Sequence, residues 1–297
     1  MNQLFQFSDE NDKENKLRIG RISYINVDPV YYQFDHGPIP ENMQIISRAP
    51  AVLNKMLADK ELDISSVSAA AFARHSDQWM ILPDLSISCY GKVLSVLLVS
   101  RHPLEELQHR SILLTDESAT AVDLLKLIFS LKGIFPAFQT GKVKEPADLG
   151  SDSPAGLVIG DAALKHQWSD SFEYVYDLCE IWNEMTGLPF VFAVWAVRKS
   201  YAQKFPHRVL TALEKLKTSK ELGLRHLADI VRLASKKINI DPELCQTYYN
   251  SMYYSMSQPE VQCLQTFFSR LHASRIIDKK PELYFFNPID SYQAMGS

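Results

Sequence analysis

A repeated change of period limits most sharply what this chain can fold into. An apolar, strand-like run stops at a cluster of small polar residues, and a helical pattern begins at once. This happens at four corners: Ser23-Tyr24-Ile25-Asn26, Ser65-Ser66-Val67-Ser68, Thr115-Asp116-Glu117-Ser118-Ala119-Thr120 and Gly160-Asp161. Strands that alternate with helices predict parallel pairing, because parallel neighbours need a crossover and a helix supplies it. The expected fold is therefore α/β, with parallel-rich sheets flanked by helices.

The segments follow in order. Residues 17–25 read as a first strand, and Pro29 suits the first turn of the helix behind it. "MQIISRAP" reads as a strand, "PAVLNKMLADKEL" as a helix with apolar residues at helical spacing, "LDISSVS" as a strand and "SAAAFARH" as a helix. "WMILPDLSISCYG" and "KVLSVLLVSR" are β-rich, and the second is apolar enough for burial on both faces. A second strand–turn–helix block spans "RSILLTDESATAVDLLKLIFSLKG" and "AGLVIGDAALKHQW", with Gly133 placed to end its long helix. From Tyr201 onward the period is helical.

The apolar runs at residues 92–100 and 190–197 lie where the two blocks meet, and we read them as crossing segments. The predicted lobe I is discontinuous, residues 17–98 plus 197–297, and lobe II is residues 99–196. A chain of 297 residues accommodates two domains at about 150 residues each. A cleft between lobes is the expected place for a small ligand. Residues 1–16 lack an apolar stretch of signal-peptide type and read as an N-terminal arm.

Composition removes several function classes. The net charge of −4 supplies no broad basic field for nucleic acid. No apolar run approaches the ~18 residues that span a bilayer, so a cytoplasmic location is expected. Cys89, Cys179, Cys245 and Cys263 are scattered without metal spacing and read as reduced thiols. No P-loop or dinucleotide fingerprint is present. Nothing selects between a monomer and a homodimer.

The four polar corners carry the chemistry. The first N–H groups of a helix lack partners within it, and with the helix dipole they favour a carboxylate or phosphate. Serine and threonine hydroxyls add donors. The same residues also serve as ordinary helix caps, each contributing about 1 kcal/mol. His75 and His166 are the histidines placed at or near helices where a general base would be sought. The residues alone lead to a two-lobed protein that binds a small anion.

At these corners the sequence resembles the chorismate dehydratases, which open the futalosine route to menaquinone. "GRISYINVDPVYY" is similar to their G-x-[VI]-x-[YF]-[LI]-N-x-x-P-[LV]-Y opening. "LDISSVSAAAFAR", "GKVLSVLLVSRHPLEEL" and "LTDESATAVDLLKLI" resemble three further segments. "GLVIGDAAL" and "YDLCEIWNEMTGLPFVFAVWAVR" resemble the I-G-D-x-A-L and T-G-L-P-F-V-[FY]-A-x-W motifs. The likeness covers residues 17–198 in order. Ala121 departs from a frequent small hydroxyl residue, and Val27-Asp28 is an acidic variant of a variable slot.

The resemblance implies a fold like type II periplasmic binding proteins, with chorismate, a dianion, as the small-molecule partner. It implies Asn26 and Ser95 as the catalytic pair, and neither a metal nor an organic cofactor. Ser23, Tyr24, Ser66, Ser68, Ser118, Ala119 and Thr120 would bind substrate. Gly160, Asp161 and the Thr186-Gly187-Leu188-Pro189 turn would complete the cleft, with Leu188 and Phe190 as an apolar wall. Three alternatives share the fold: a non-catalytic binder of an organic anion, the related dihydroxynaphthoate synthase, and a ligand-sensing regulatory domain. The synthase is expected to carry a Cys-Pro-Asn-Asp corner where this chain has Ile25-Asn26-Val27-Asp28-Pro29.

Overall fold

The computed structural model describes residues 16–150 and 153–287. The arm expected over residues 1–16 therefore lies, but for its last residue, outside the described residues. The strands are β1 (Leu17–Ile22), β2 (Met43–Arg48), β3 (Ile64–Ser68), β4 (Trp79–Cys89), β5 (Val96–Ser100), β6 (Ser111–Thr115), β7 (Ala137–Gly141), β8 (Ala155–Ile159), β9 (Tyr174–Asp177), β10 (Phe190–Arg198) and β11 (Met252–Tyr253). The helices are α1 (Asp28–His36), α2 (Pro50–Ala58), α3 (Ala69–Arg74), α4 (Ala119–Lys132), α5 (Gly160–Lys165), α6 (Leu178–Thr186), α7 (Lys199–Lys204), α8 (Pro206–Arg225), α9 (Leu227–Ile238), α10 (Pro242–Ser251) and α11 (Gln258–Ala273).

The strands form two sheets. The first runs β11-β4-β10-β3-β1-β2, the second β7-β6-β8-β5-β9. Parallel pairs build one side of each sheet, β2-β1-β3 and β7-β6-β8. Antiparallel partners enter with β10 in the first sheet and β5 in the second. Both are the strands that follow a crossing, and they lie wholly in one sheet. The chain thus changes lobes between Cys89 and Val96 and again between Asp177 and Phe190, several residues before the expected 98/99 and 196/197. A strand that switched sheets midway would forfeit ladder bonds that its buried backbone needs.

The crossings are anchored by one carboxylate. Asp177 caps α6, accepting from the N–H groups of Cys179 at 3.0 Å and Glu180 at 3.3 Å. Its other oxygen accepts from Val93 at 2.9 Å and Leu94 at 2.7 Å, in the first crossing. The cysteines are all buried and unbridged, and Cys89 and Cys179 sit at this junction, where the Cys179 thiol donates to the Cys89 carbonyl.

The C-terminal helices pack behind the first sheet. Gly223 of α8 lies against the start of α1, where a Cβ would overlap the Pro29 carbonyl. Behind β1, the Trp195 indole donates to the Tyr31 hydroxyl at 3.2 Å, which donates to the Gly20 carbonyl at 2.9 Å. At the far end of the sheet Asp63 joins β1 to β10. It accepts from Arg18 at 2.9 Å and Arg198 at 2.5 Å. Burial alone would raise the Asp63 carboxyl, but the two guanidinium groups overcome it and hold it below its ordinary range.

Candidate functional site

The first corner ends β1 at Ile22 and turns through a single 3-10 turn, Ile25–Val27, before α1. Pro29 lies in the first turn of α1, where its missing N–H costs nothing. The turn is held from two directions. The Tyr249 hydroxyl of α10 donates to the Ile25 carbonyl at 2.8 Å, and the Ile25 N–H reaches Asp161 of the other lobe at 3.3 Å. Asn26 projects from this fixed turn. Its Oδ1 is buried and has no hydrogen-bond partner among the described residues, a state that native structures rarely tolerate without a ligand or function.

Asn26 lines a narrow cavity of about 60 Å³ between the sheets. The polar lining is Tyr24, Asn26, Ser68, Ser95, Ser118 and Gly160. The apolar lining is Ile22, Pro50, Val96, Ile159, Phe192 and Ala193. Each of the four corners contributes at least one residue. Ser68 caps α3 and Ser118 caps α4, accepting from Ala71 and Ala121 at 3.2 Å each. The absence of a hydroxyl at Ala121 leaves this cap intact, since only its backbone is used. Ser95 lies just before β5, 5% exposed, with the Tyr248 hydroxyl as its hydrogen-bonding neighbour. Burial pushes that phenol well up, so it stays protonated.

Among the described residues no lysine or arginine lines this cavity. Hydroxyls, an amide and helix starts supply its polarity, which suits a desolvated anion held by dipoles. Among the described residues no group of three metal-ligating side chains occurs. None of the described helices is long and apolar enough to cross a membrane. Outside the cavity a cleft of about 700 Å³ is lined by Glu117, Lys142, Lys144, Asp161, Lys165 and His166 among others.

Several sequence-predicted residues lie elsewhere. Ser66 is inside β3, where its hydroxyl accepts from the Ile22 N–H at 3.2 Å. Thr120 faces α3 and accepts from the Ala70 N–H at 2.9 Å, a bond between lobes. Ala119, also in the first turn of α4, is not in the cavity wall. Ser23 and Asp161 line the outer cleft. Thr186, Gly187, Leu188 and Pro189 cap α6: Thr186 donates to the Trp182 carbonyl, Gly187 takes φ 68°, and Pro189 accepts from the Trp182 indole. Phe190 is fully buried between Trp182 and Phe267. Phe192 forms the wall instead, because β10 changes register against β4 between Val191 and Ala193 and so re-aims its side chain. His75 stacks on Trp79 outside the cavity, and His166 lies in the outer cleft.

The fold is that of a two-lobed, periplasmic-binding-protein-like protein, with the cavity at the junction of its lobes. The alkanesulfonate-binding protein SsuA from Xanthomonas axonopodis pv. citri, bound to MOPS, superposes with a TM-score of 0.63 at 13% identity, covering 90% of this chain and 95% of that one. A crystal structure of an Archaeoglobus fulgidus protein gives 0.72 at 18% identity, covering 89% and 99%. The sequence profile of the family described as "Menaquinone biosynthesis" matches residues 17–273, and this chain belongs to that family. The chorismate dehydratase of Thermus thermophilus is 31% identical over 264 residues, 84% of this chain and 93% of that protein. The chorismate dehydratase of Campylobacter jejuni subsp. jejuni is 32% identical over 197 residues, 63% of this chain and 73% of that protein.

Proposed function

We propose that this protein is a chorismate dehydratase, a carbon–oxygen hydro-lyase acting in the cytoplasm. It eliminates water from chorismate to give 3-[(1-carboxyvinyl)oxy]benzoate, the first step of the futalosine route to menaquinone. The relatives named above support the activity. The observation that carries it to this site is that Asn26, whose Oδ1 has no partner among the described residues, lines one cavity with Ser95.

The two carboxylates and the ether of chorismate are acceptors only. Its ring hydroxyl is the one donor it offers, and a buried acceptor without a partner calls for a donor. Asn26 Oδ1 therefore takes the hydroxyl proton in a hydrogen bond and orients the C–O bond that breaks. Ser95 donates to the departing oxygen. Ser68 and Ser118, at the starts of helices from opposite lobes, hold carboxylates. The proton on the ring carbon bearing the ether is acidified through the diene and ring carboxylate.

No side chain in the cavity is a good base at neutral pH. The enolpyruvyl carboxylate of the substrate takes the proton instead, its weak basicity offset by intramolecular proximity. Hydroxide leaves from the neighbouring carbon, the ring becomes aromatic, and hydroxide and proton combine as water. The protein's share is orientation and exclusion of solvent.

Purified protein incubated with chorismate is expected to yield a product lighter by one water with a benzoate ultraviolet band. Chorismate recovered intact overturns the proposal, and chorismate bound yet unchanged transfers the site to a binding function.

A further inference from the structure

Two side chains border both the inner cavity and the outer cleft, and the opposite lobe holds one of them in place. Tyr24 and Ile159 line both spaces. The Tyr24 ring lies on Gly160, where an added Cβ would stand 3.1 Å from Cε2 and Cζ. The Tyr24 hydroxyl donates to Glu117 Oε2 at 2.7 Å, and Lys144 pairs with Glu117 Oε1 at 2.9 Å. Tyr24 comes from the six-stranded lobe, Glu117 and Lys144 from the five-stranded one. Neither Glu117 nor Lys144 touches the inner cavity. Burial, with the adjacent carboxylate, pushes the Tyr24 phenol far up, so it remains a donor throughout the physiological range.

We propose that Glu117 is a positioning residue of the dehydration that acts through Tyr24: its bond to the phenol closes the two lobes over the substrate, and its release opens the path for substrate and product. This rests on the inner cavity being the chorismate site. The bond is charge-assisted and crosses the mouth, so it contributes only while the lobes are together. Closure over a reacting anion excludes water and completes the set of groups drawn from both lobes.

Two amides report closure without any substrate. The Ile25 N–H bonds to Asp161 and the Ala70 N–H to Thr120, each across the lobes. Hydrogen exchange is measured on the ligand-free full chain. In Glu117→Ala and in Tyr24→Phe both amides are expected to exchange about tenfold faster, the loss of one charge-assisted bond. Ile19 within β1 and Leu98 within β5 keep their wild-type rates. Glu117→Gln, which retains an acceptor, restores most of the protection, and the double variant Tyr24→Phe/Glu117→Ala adds nothing to either single one.

Wild-type exchange at Ile25 and Ala70 in both single variants overturns the proposal. So does acceleration spread equally over both sheets, which marks general destabilisation. With chorismate, Glu117→Ala is expected to raise KM about tenfold and to release the benzoate product faster, with kcat changed less. Failure of the wild-type protein to consume chorismate overturns the functional reading instead and leaves the exchange result standing.

Discussion

Asn26 and Ser95 line one cavity although the first belongs to the six-stranded lobe and the second closes the crossing into the other. Asn26 ends the first corner of the six-stranded lobe, and Ser95 immediately precedes the first strand of the other. The cavity therefore has its full polar complement only when both lobes are present. The Asn26 Oδ1 has no hydrogen-bond partner among the described residues.

That unpaired atom separates stability from activity. A buried acceptor without a partner costs about 1–3 kcal/mol. Asn26→Ala should therefore unfold at the same temperature as the wild type or slightly higher, by calorimetry. Its turnover of chorismate should fall at least about a hundredfold, the scale for a preorganised polar group in a reaction site. A melting temperature well below wild type would show that Asn26 serves the fold.

Ser118 offers a second separation. Aspartate caps helices as well as serine does, so Ser118→Asp should keep α4 intact in urea unfolding. It places a negative charge in the cavity proposed to hold a dianion, and chorismate binding should weaken by more than tenfold. Ser118→Ala should instead lose about 1 kcal/mol of stability with a smaller effect on binding.

Gly160 fits only as glycine. Its φ is 62°, in the left-handed region, and the Tyr24 ring occupies the place of a side chain. Gly160→Ala should cost about 1–2 kcal/mol from backbone strain and push the Tyr24 ring from its seat. Small-angle scattering of the ligand-free variant should show a larger radius of gyration than wild type.

The Asp63 ion pairs set an acid limit. Asp63 is 2% exposed and serves both Arg18 and Arg198. Asp63→Asn leaves two guanidinium groups without their counter-charge and should cost about 3–5 kcal/mol at pH 7 in urea unfolding. Because the folded carboxyl is held below its ordinary value, its stabilisation is complete above the unfolded value of about 3.9 and is lost as pH falls through the lower, folded one. The difference between wild type and variant should therefore shrink below about pH 4.

Asp177 should prove indispensable to the crossings. Its two oxygens accept from four backbone N–H groups, on Val93, Leu94, Cys179 and Glu180. Asp177→Asn turns an amide NH₂ toward one of those pairs. We expect a loss of about 2–3 kcal/mol in urea unfolding and reduced turnover, since Ser95 follows Leu94 directly.

The four corners were legible because each is local. A strand period, a polar cluster and a helical period follow one another within a dozen or so residues, and every corner reached the cavity wall. Which residue of a corner faces that wall was not legible. Ser68 and Ser66 lie on the same strand, but Ser68 ends it while Ser66 is enclosed by the Ile22 N–H of the neighbouring strand. Ser118 caps α4, whereas Thr120, within its first turn, is turned toward α3. Phe192 replaces Phe190 through a register shift that depends on pairing with β4. Tyr248 and Tyr249 carried no local signal, and Glu117, though inside the third corner, had none that set it apart. The two tyrosines stand in an ordinary helical pattern, and Glu117 reads as a charged turn residue.

From the order of residues alone came the α/β class, the division into two lobes with a helical C-terminal third, and the chemistry available at each strand end. These follow from side-chain period and from the unpaired N–H groups of helix starts, which are properties of short stretches. Tertiary structure decided which hydroxyls meet, which phenylalanine forms the wall, and that one buried asparagine oxygen has no partner among the described residues. Those outcomes arise where segments far apart in sequence pack together, and contacts of that kind have no local period to betray them.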